Sequence, residues 1–192
     1  NQFCAADLSA IYVDVTKDRM YCDGTDSLRR QSTQTVMYDV FTSLTKLLAP
    51  VLAYTADEAW GHAGFTDSVH EQDFPVALDE WKPGEVSEKM SQLLEIRGVI
   101  QTAIEEQVKA KAFNKNNEAA VTLTVPADHG CSAELSNREF TTEFFILADI
   151  KLVEGAELSA TAKATEHCMC PRCRRYEPLL DNGLCQRCAD VV

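Results

Sequence analysis

The chain has 192 residues, of which 45% are hydrophobic, and its formal net charge is −12. This length is sufficient for a sizeable buried core and for more than one folded unit, whereas the negative charge argues against a surface that coats nucleic acid throughout. No apolar run approaches the length of a membrane span, and nothing at the amino terminus is typical of a secretory signal peptide.

The first two predicted elements are amphipathic helices. Apolar side chains recur at helical spacing between Leu8 and Met20, which predicts the first helix. A longer apolar stripe ends at Pro50, and we expect Asp26 or Ser27 to cap the helix that carries it. The members of this stripe are Val36, Val40, Leu44, Leu47 and Leu48. We interpret both stripes as the core of a helical bundle.

A third, shorter helix is predicted after the proline. Residues 55–58 (Thr-Ala-Asp-Glu) fit a capping box, in which the threonine oxygen and the glutamate carboxylate satisfy free backbone N–H groups, and the helix would carry Trp60. Residues 63–85 combine glycines and prolines with an acidic excess, which is typical of a connection. Within residues 51–88, nine acidic side chains stand against one lysine, a balance of −8. We predict that residues 1–84 form a helical bundle domain.

The middle of the chain predicts a small α/β unit over residues 85–156. Ser87 is expected to cap a helix with one apolar side, and residues 121–125 alternate apolar and threonine side chains, as in a strand with one buried face. A second helix over residues 135–147 and a short strand over residues 150–153 complete the unit. Periodicity therefore changes from helical to alternating within this part of the chain.

Two C-x-x-C pairs follow residues 155–167, which are small, polar and threonine-rich and are expected to form a linker. The spacing lets both thiolates of a pair face one cation. The turn at Asn182-Gly183 can bring the two pairs together. Four thiolates then form the shell that structural zinc prefers. The predicted ligands of one zinc ion are Cys170, Cys173, Cys185 and Cys188. The open alternative is a set of disulfides or reduced thiols without metal. Four thiolates leave no open position, so the ion would hold residues 165–192 together and do no chemistry.

The other cysteines indicate a reducing environment. Cys4, Cys22 and Cys131 are scattered singly, so we expect a cytoplasmic protein without membrane contact. Cys168 lies two residues before the first pair, a spacing that fits a metal knuckle poorly, and we treat it as a bystander or a backup ligand. The predicted fold class is mainly α: a helical bundle, a small α/β unit and a C-terminal zinc-knuckle module.

Several segments resemble the isoleucyl-tRNA synthetases, a family of class I aminoacyl-tRNA synthetases. The matching segments are residues 8–21 (LSAIYVDVTKDRMY), 47–60 (LLAPVLAYTADEAW) and 94–100 (LEIRGVI), together with the terminal C-P-R-C and L-C-Q-R-C sequences. The 47–60 segment is shared with valyl and leucyl relatives, whereas a zinc module after a small α/β unit favours isoleucine. The resemblance covers nearly the whole chain in the right order and implies a C-terminal fragment with an anticodon-binding domain.

The resemblance implies that the chain binds the anticodon stem-loop of isoleucine tRNA, in support of ATP-dependent, AMP-forming charging by catalytic and editing domains of a parent chain. The chain contains no H-I-G-H segment, and Lys89–Ser91 matches only three residues of the K-M-S-K-S signature, so we do not expect this fragment alone to be an enzyme. Two alternatives are a zinc-stabilised protein-interaction module that docks through the acidic residues 57–88, and a free-standing tRNA-binding factor.

Residues beside the cysteine pairs are the candidates for RNA contact, because unstacked bases pack on aromatic and guanidinium planes. The candidates are Arg172, Arg174, Arg175, Tyr176 and Arg187. Within residues 168–192, four arginines stand against three acidic side chains, a balance of +1. The alternative is that these arginines are solvated residues of a basic metal loop. Weaker candidates are Arg19, Arg29 and Arg30, whose alternative role is pairing with Asp18, Asp23 or Asp26.

Besides lacking the catalytic segments, the sequence departs from the family pattern at two places. Arg174 stands where the family usually has tryptophan directly after the first cysteine pair, and its guanidinium could stack on a base in the same place. Residues 113–119 (FNKNNEA) replace the family's usual glycine-serine-leucine-glutamate-alanine approach to the strand.

Overall fold

The computed structural model describes residues 2–81, 84–127 and 129–192, and the chain divides into two compact units. One unit combines Asn1–Asp23 with Pro83–Val192, and the other is Gly24–Lys82. Helix predominates, with a small sheet and a cluster of four cysteines near the C-terminus, which confirms the predicted fold class. The predicted division into domains 1–84, 85–156 and 165–192 stays a prediction, and Lys82 and Pro83 of the predicted connection lie outside the described residues.

The unit Gly24–Lys82 is built around two helices. Helix α2 spans Leu28–Leu48, and its N-cap is Ser27, whose Oγ accepts a hydrogen bond from the backbone N–H of Arg30 at 3.4 Å. This confirms one of the two predicted caps. Helix α3 spans Ala53–His62, and two single turns of 3₁₀ helix follow, at Val69–Glu71 and Asp79–Trp81.

The predicted capping box at residues 55–58 is wrong. Helix α3 begins two residues earlier, after Leu52, and no side chain caps it. The backbone N–H of Ala56 already donates to the carbonyl of Leu52 at 2.8 Å, so the helical bonding pattern starts before Thr55. Thr55 therefore lies inside the helix, where its neighbouring N–H groups have backbone partners.

Trp60 on α3 lies at the centre of the core of this unit, and only 3% of its surface is exposed. Its ring stacks on Phe65 with centroids 3.9 Å apart, and Ala49, Ala56 and Val69 complete the buried cluster. The α2 stripe differs from the prediction of a bundle core, because Val36, Leu47 and Leu48 are exposed. Among the described residues, α2 packs chiefly on α3 and the turn at residues 69–71, which leaves that part of the stripe uncovered.

The other unit begins with a continuous helical segment. Residues Phe3–Val13 form a π-helix that continues as α1, Asp14–Cys22, so the segment is longer at both ends than the predicted helix between Leu8 and Met20. Helix α4 spans Glu85–Lys109 with Gly84 at its N-cap. The predicted cap at Ser87 is wrong, because the helix starts earlier and Ser87 lies in its first turn.

A small sheet packs against α4. The strands are β1 (Ala119–Val125), β2 (Asp149–Glu154) and β3 (Ser159–Ala164). Strand β1 follows a 3₁₀ turn at Asn116–Glu118 and pairs in parallel with β2 and antiparallel with β3. Side chains of β1 alternate between buried and half-buried, as the alternating sequence predicts.

The predicted linker at residues 155–167 is wrong in its central part, because β3 lies within it. Ala160 pairs with Leu123 and Ala162 with Val121, and both alanines pack against the core beneath the sheet. Small side chains alternate here with serine, threonine and lysine, so the buried face of β3 carries almost no hydrophobic signal in the sequence.

Two short helices replace the one predicted over residues 135–147. They are α5 (Ser132–Ser136) and α6 (Arg138–Phe144). Asn137 separates them, and its side chain caps α6 by accepting a hydrogen bond from the N–H of Phe140 at 3.1 Å. Inside this unit the largest buried apolar side chains come from α4, β1 and α5: Ile96, Ile100, Ile104, Leu123 and Leu135.

Buried Arg97 links three helices of this core. Its guanidinium donates to the carbonyl of Phe144, lies 3.9 Å from a carboxylate oxygen of Asp14, and lies over the Phe144 ring. Burial lowers the pKa of Arg97 from its usual value, and the Asp14 charge opposes that shift. Helix α4 also carries Lys89, which pairs with Glu134 at 2.8 Å. None of the described helices combines the length and apolar character needed to cross a membrane.

Candidate metal centre and nucleic-acid interface

The first cysteine pair lies in a tight loop between two short strands, β4 (Cys168–Met169) and β5 (Tyr176–Glu177). The N–H of Cys170 donates to the carbonyl of Arg175, and the N–H of Arg174 donates to the carbonyl of Cys170, both at 2.8 Å. These bonds close the loop on itself. Both thiols of the pair therefore lie on the same side of the loop, as the two-residue spacing predicts.

The second cysteine pair is brought back to the first by the predicted turn. Gly183 has a φ of +77°, in the left-handed region that glycine adopts without strain, and Asn182 Oδ1 accepts from the N–H of Leu184 at 3.0 Å. Cys185 then directly precedes the short helix α7, Gln186–Ala189. Cys188 lies on that helix and faces the first pair.

The four cysteines of the two pairs form one buried cluster, and their sulfur atoms all lie within 4.8 Å of one another. The Sγ atoms of Cys173 and Cys185 are 3.7 Å apart. A tetrahedral zinc site with Zn–S bonds of about 2.3 Å places its sulfurs about 3.8 Å apart, whereas a disulfide bond is about 2.05 Å long. The arrangement therefore fits a metal ion bound by four thiolates, and all of its cysteines are free thiols. Cys168 is exposed on β4 and lies outside the cluster.

The surroundings shift the pKa values of the clustered thiols in both directions, and the form that binds metals is the thiolate. Burial alone would raise the pKa of Cys170, but backbone N–H groups of Cys173, Cys185 and Arg172 lower the pKa to about 6. Burial raises the pKa of Cys173. The Arg172 guanidinium donates to the Sγ of Cys188 at 3.4 Å and places a positive charge beside it.

Three of the candidate arginines have partners inside the protein. Arg172 donates to the carbonyl of Cys22 at 2.7 Å. Arg175 donates to the hydroxyl of Thr142 at 2.9 Å and lies 3.4 Å from a carboxylate oxygen of Glu177. Arg187 lies beside two carboxylates of α1 and the residue after it, Asp18 at 3.9 Å and Asp23 at 3.6 Å. These side chains attach the cysteine cluster to α1 and α6.

Arg174 is the exposed arginine among the candidates. Its φ is +60°, and Asn117 Nδ2 donates to its carbonyl at 3.2 Å, which fixes the backbone of the loop. Tyr176 is half-buried on β5 and pairs with Met169 of β4. Arg19 pairs with Glu143 of α6 at 2.6 Å, so the predicted alternative of an aspartate as its main partner is wrong. The RNA-binding roles of the candidates stay predictions.

Cys22 is a residue of this region that the sequence did not indicate. It is buried against the four clustered cysteines at the end of α1, and its carbonyl accepts from Arg172. Because 150 residues separate Cys22 from Arg172, no local spacing could reveal the contact. The helical pattern around Cys22 was the available signal, and it indicated only that the residue could lie on a helix.

Residues 1–123 match the family described as the anticodon-binding domain of tRNA ligases. The chain belongs to this family. Three similar proteins are isoleucine–tRNA ligases: that of Methylacidiphilum infernorum is 30% identical over 198 residues, that of Persephonella marina 31% over 213, and that of Brevibacillus brevis 34% over 210. Each alignment covers 100% of this chain but 21–23% of the relative, so this anticodon-binding chain spans about a fifth of the length of these relatives. The resemblance to isoleucine–tRNA ligases is thereby confirmed.

Proposed function

We propose that this chain binds the anticodon stem-loop of isoleucine tRNA as part of a longer cytoplasmic isoleucine–tRNA ligase. Catalytic and editing domains elsewhere in that protein would carry out ATP-dependent, AMP-forming charging, and this chain alone would not. The observation that carries the proposal is the family match over residues 1–123, joined to whole-chain similarity with isoleucine–tRNA ligases. The exposed guanidinium of Arg174, on a loop fixed by the cysteine cluster, supports RNA contact at the carboxyl-terminal end of the chain.

The net charge of −12 shapes how such binding should behave. Repulsion from phosphates keeps the affinity of this chain modest, and local cations supply the attraction. Each phosphate contact releases counterions, so the affinity should fall steeply as salt rises. A protein-interaction module, by contrast, would show no salt-dependent binding of RNA.

The test is fluorescence anisotropy of the 192-residue chain with the anticodon stem-loop of isoleucine tRNA between 50 and 200 mM salt. We expect weak, salt-dependent binding and weaker binding of a stem-loop with the same stem but another anticodon. Equal affinity for both RNAs would contradict a role of this chain in anticodon recognition. No binding at the lowest salt would contradict the proposal as a whole.

We further propose that the four clustered cysteines hold one structural zinc ion. All four positions of the shell are thiolates, so the ion supplies a rigid crosslink and no site for a substrate. The backbone N–H groups around Cys170 and the guanidinium of Arg172 stabilise the negative charge of the shell.

Two variants separate the ligands from the bystander. Protein produced without added metal should contain about one equivalent of zinc, because four thiolates bind it tightly. Cys170→Ser should lower the zinc content sharply, whereas Cys168→Ser, which removes an exposed thiol two residues away, should leave it unchanged. Loss of zinc in Cys168→Ser would make Cys168 a ligand. Wild-type protein with little zinc and with disulfides in its mass spectrum would contradict the proposal.

A further inference from the structure

We infer that a cleft between α1, α6 and the first cysteine loop holds a single unstacked nucleotide of the bound RNA. The cleft has a volume of about 440 Å³ and also borders the turn at residues 115–117. Small-molecule sites typically have volumes of about 300–1,000 Å³, so the cleft is large enough for one base and its sugar. The inference rests on the proposed function, since it assigns the place where one nucleotide of the stem-loop would bind.

Each acidic side chain that lines the cleft lies beside a cation of the protein. Asp14 pairs with Lys17 at 2.6 Å, Asp18 lies 3.9 Å from Arg187, and Glu143 pairs with Arg19. An RNA phosphate that approaches the cleft therefore meets carboxylates whose charge is partly compensated, since Asp18 shares Arg187 with Asp23. This arrangement reduces the electrostatic repulsion of RNA at this position of an acidic chain.

Two further cations of the cleft are available to a ligand. Lys115 and Arg174 are both exposed, and neither has an ion pair among the described residues. They lie on separate loops, which the hydrogen bond from Asn117 Nδ2 to the Arg174 carbonyl joins at 3.2 Å. The two cations are thus held at one rim of the cleft, where a phosphate could lie between them.

The same rim carries amide groups suited to a base edge. Asn116 is exposed, and among the described residues its side chain has no hydrogen-bond partner. Asn117 uses its Nδ2 on the Arg174 carbonyl, so its Oδ1 stays available as an acceptor. Side-chain amides offer a donor and an acceptor together, which is how proteins bind base edges. Among the other lining residues, half-buried Ile146 provides an apolar surface for the face of the base, whereas Val15 and Leu147 are buried.

The backbone around the cleft is held in place before any ligand binds. Ile146 has a φ of +58°, an uncommon conformation for a β-branched residue, and hydrogen bonds on both sides maintain it. Its N–H donates to the carbonyl of Glu143 at 3.2 Å, and the N–H of Leu147 donates to the carbonyl of Thr142 at 2.9 Å. A cleft fixed in this way loses little conformational freedom when a nucleotide enters it.

The test combines protein variants with stem-loops that carry one abasic position each. The RNA is the anticodon stem-loop of isoleucine tRNA, and the protein is the whole 192-residue chain. Asn116→Ala removes the predicted base contact, and Lys115→Ala removes a predicted phosphate contact. Lys151→Ala serves as the matched control, because Lys151 is exposed on β2 and does not line the cleft.

We expect one loop position where removal of the base weakens binding to wild-type protein by about fivefold or more. Removal of the same base should hardly weaken binding to the Asn116→Ala variant, since that variant has already lost the side chain that contacts the base. Lys115→Ala should weaken binding to every stem-loop and reduce the salt slope by about one, while Lys151→Ala should match wild type.

The possible failures are distinguishable. If the stem-loop binds with the expected salt dependence but Asn116→Ala and Lys115→Ala change neither the affinity nor the abasic profile, the nucleotide site is overturned and the proposed function stands. If the wild-type chain binds no stem-loop, both are overturned. Circular dichroism of each variant verifies that a lost interaction does not reflect unfolding.

Discussion

Arg174 differs from the other arginines beside the cysteines in its exposure and in its side-chain contacts. Arg172, Arg175 and Arg187 each have a partner within the protein, whereas Arg174 is exposed and has no ion pair among the described residues. It has a left-handed backbone and is the last loop residue before Arg175, whose carbonyl accepts from the N–H of Cys170. Arg174 is therefore our first candidate for RNA contact, and this role stays a prediction for all four arginines.

The Arg174 side chain can be tested by a series at one position. We expect Arg174→Lys to retain RNA binding and Arg174→Ala and Arg174→Trp to weaken it, because a phosphate contact needs charge more than a plane. The loss should be on the order of 1 kcal/mol, with a salt slope lower by about one. Anisotropy titrations at several salt concentrations measure both quantities.

All three replacements share the backbone strain of a positive φ at position 174. Differences in RNA affinity among them therefore reflect the side chain. Binding retained by Arg174→Trp and lost by Arg174→Lys would indicate that Arg174 stacks on a base. Equal binding of all variants would show that Arg174 does not contact the RNA.

The ion pair between Arg19 and Glu143 is a structural contact that joins α1 to α6. Two bonds of 2.9 and 2.6 Å connect the guanidinium to the carboxylate, whose side chain is only 4% exposed. Arg19→Met should lower the free energy of unfolding by about 3 kcal/mol, because it removes the guanidinium that is bonded to a buried carboxylate. Urea denaturation measures the change.

A second variant identifies the cause of that loss. Arg19→Met combined with Glu143→Gln should recover much of the stability, since the negative charge of the buried carboxylate is gone. Lys17→Ala removes an exposed pair with Asp14 on the same helix and should cost less than about 1 kcal/mol. An Arg19→Met variant as stable as wild type would show that the pair contributes little.

Local spacing decides which residues of the cysteine cluster could be predicted. The cysteine pairs and the Asn182-Gly183 turn lie within a few residues of one another, so the geometry follows from the sequence pattern. Cys22 and Thr142 reach the same region from distant helices through Arg172 and Arg175. Such contacts depend on how the helices pack on one another, and residue types alone do not specify that packing.

Among the secondary-structure elements, β3 shows where hydrophobic periodicity gives too little information. Its inward residues Ala160 and Ala162 are small, so their burial leaves no strong alternating pattern. The strand is nevertheless paired along its length with β1. Strand β1 was predictable because valine and leucine alternate with threonine there, and the contrast lies in the size of the buried side chains.

The burial of β3 can be tested with two neighbouring substitutions. Ala162→Asp places a carboxylate against the apolar core and should destabilise the unit by on the order of 3 kcal/mol. Thr161→Asp places the same charge on the exposed side of the strand and should change stability by less than about 1 kcal/mol. Urea denaturation compares them, and equal effects would contradict the burial of Ala162.

The loop after α3 depends on the charge of Asp57. The hydroxyl of Ser68 donates to this carboxylate at 2.6 Å and the N–H of Val69 at 3.1 Å, and these bonds lower the pKa of Asp57 from its usual value of 3.8. A lowered pKa means that ionised Asp57 stabilises the fold above pH 4, and this contribution is lost as the pH falls through the lowered value.

We therefore expect the stability difference between wild type and Asp57→Asn to be largest near pH 6 and to shrink below about pH 4. Ser68→Ala should reduce the difference, because it removes the shorter of the two hydrogen bonds that lower the pKa of Asp57. Thermal unfolding of the three proteins across this pH range gives the comparison. A difference that stays constant with pH would contradict a stabilising role for the ionised carboxylate.

On the scale of the whole molecule, the unit that contains the cysteines has two separate cores. The apolar core joins α4, the sheet and α6, and the other consists of the clustered cysteines with Cys22. Arg175 connects them through its hydrogen bond to Thr142 of α6, and Asn117 through its hydrogen bond to the Arg174 carbonyl. The apolar core has its own buried surface, whereas the cysteine module has few apolar residues and needs a crosslink to be stable.

Removal of the proposed zinc ion should therefore affect the two cores differently. We expect a strong chelator to abolish the hydrogen-exchange protection of residues 168–190 while residues 96–104 of α4 and 119–125 of β1 stay protected, because their packing does not involve the cysteines. Hydrogen-exchange mass spectrometry with and without chelator resolves these segments, and added zinc should restore the lost protection. Binding of the stem-loop should weaken in parallel, since the loop of Arg174 loses its fixed geometry. Unfolding of the whole unit on metal removal would show that the apolar core depends on the cysteine module.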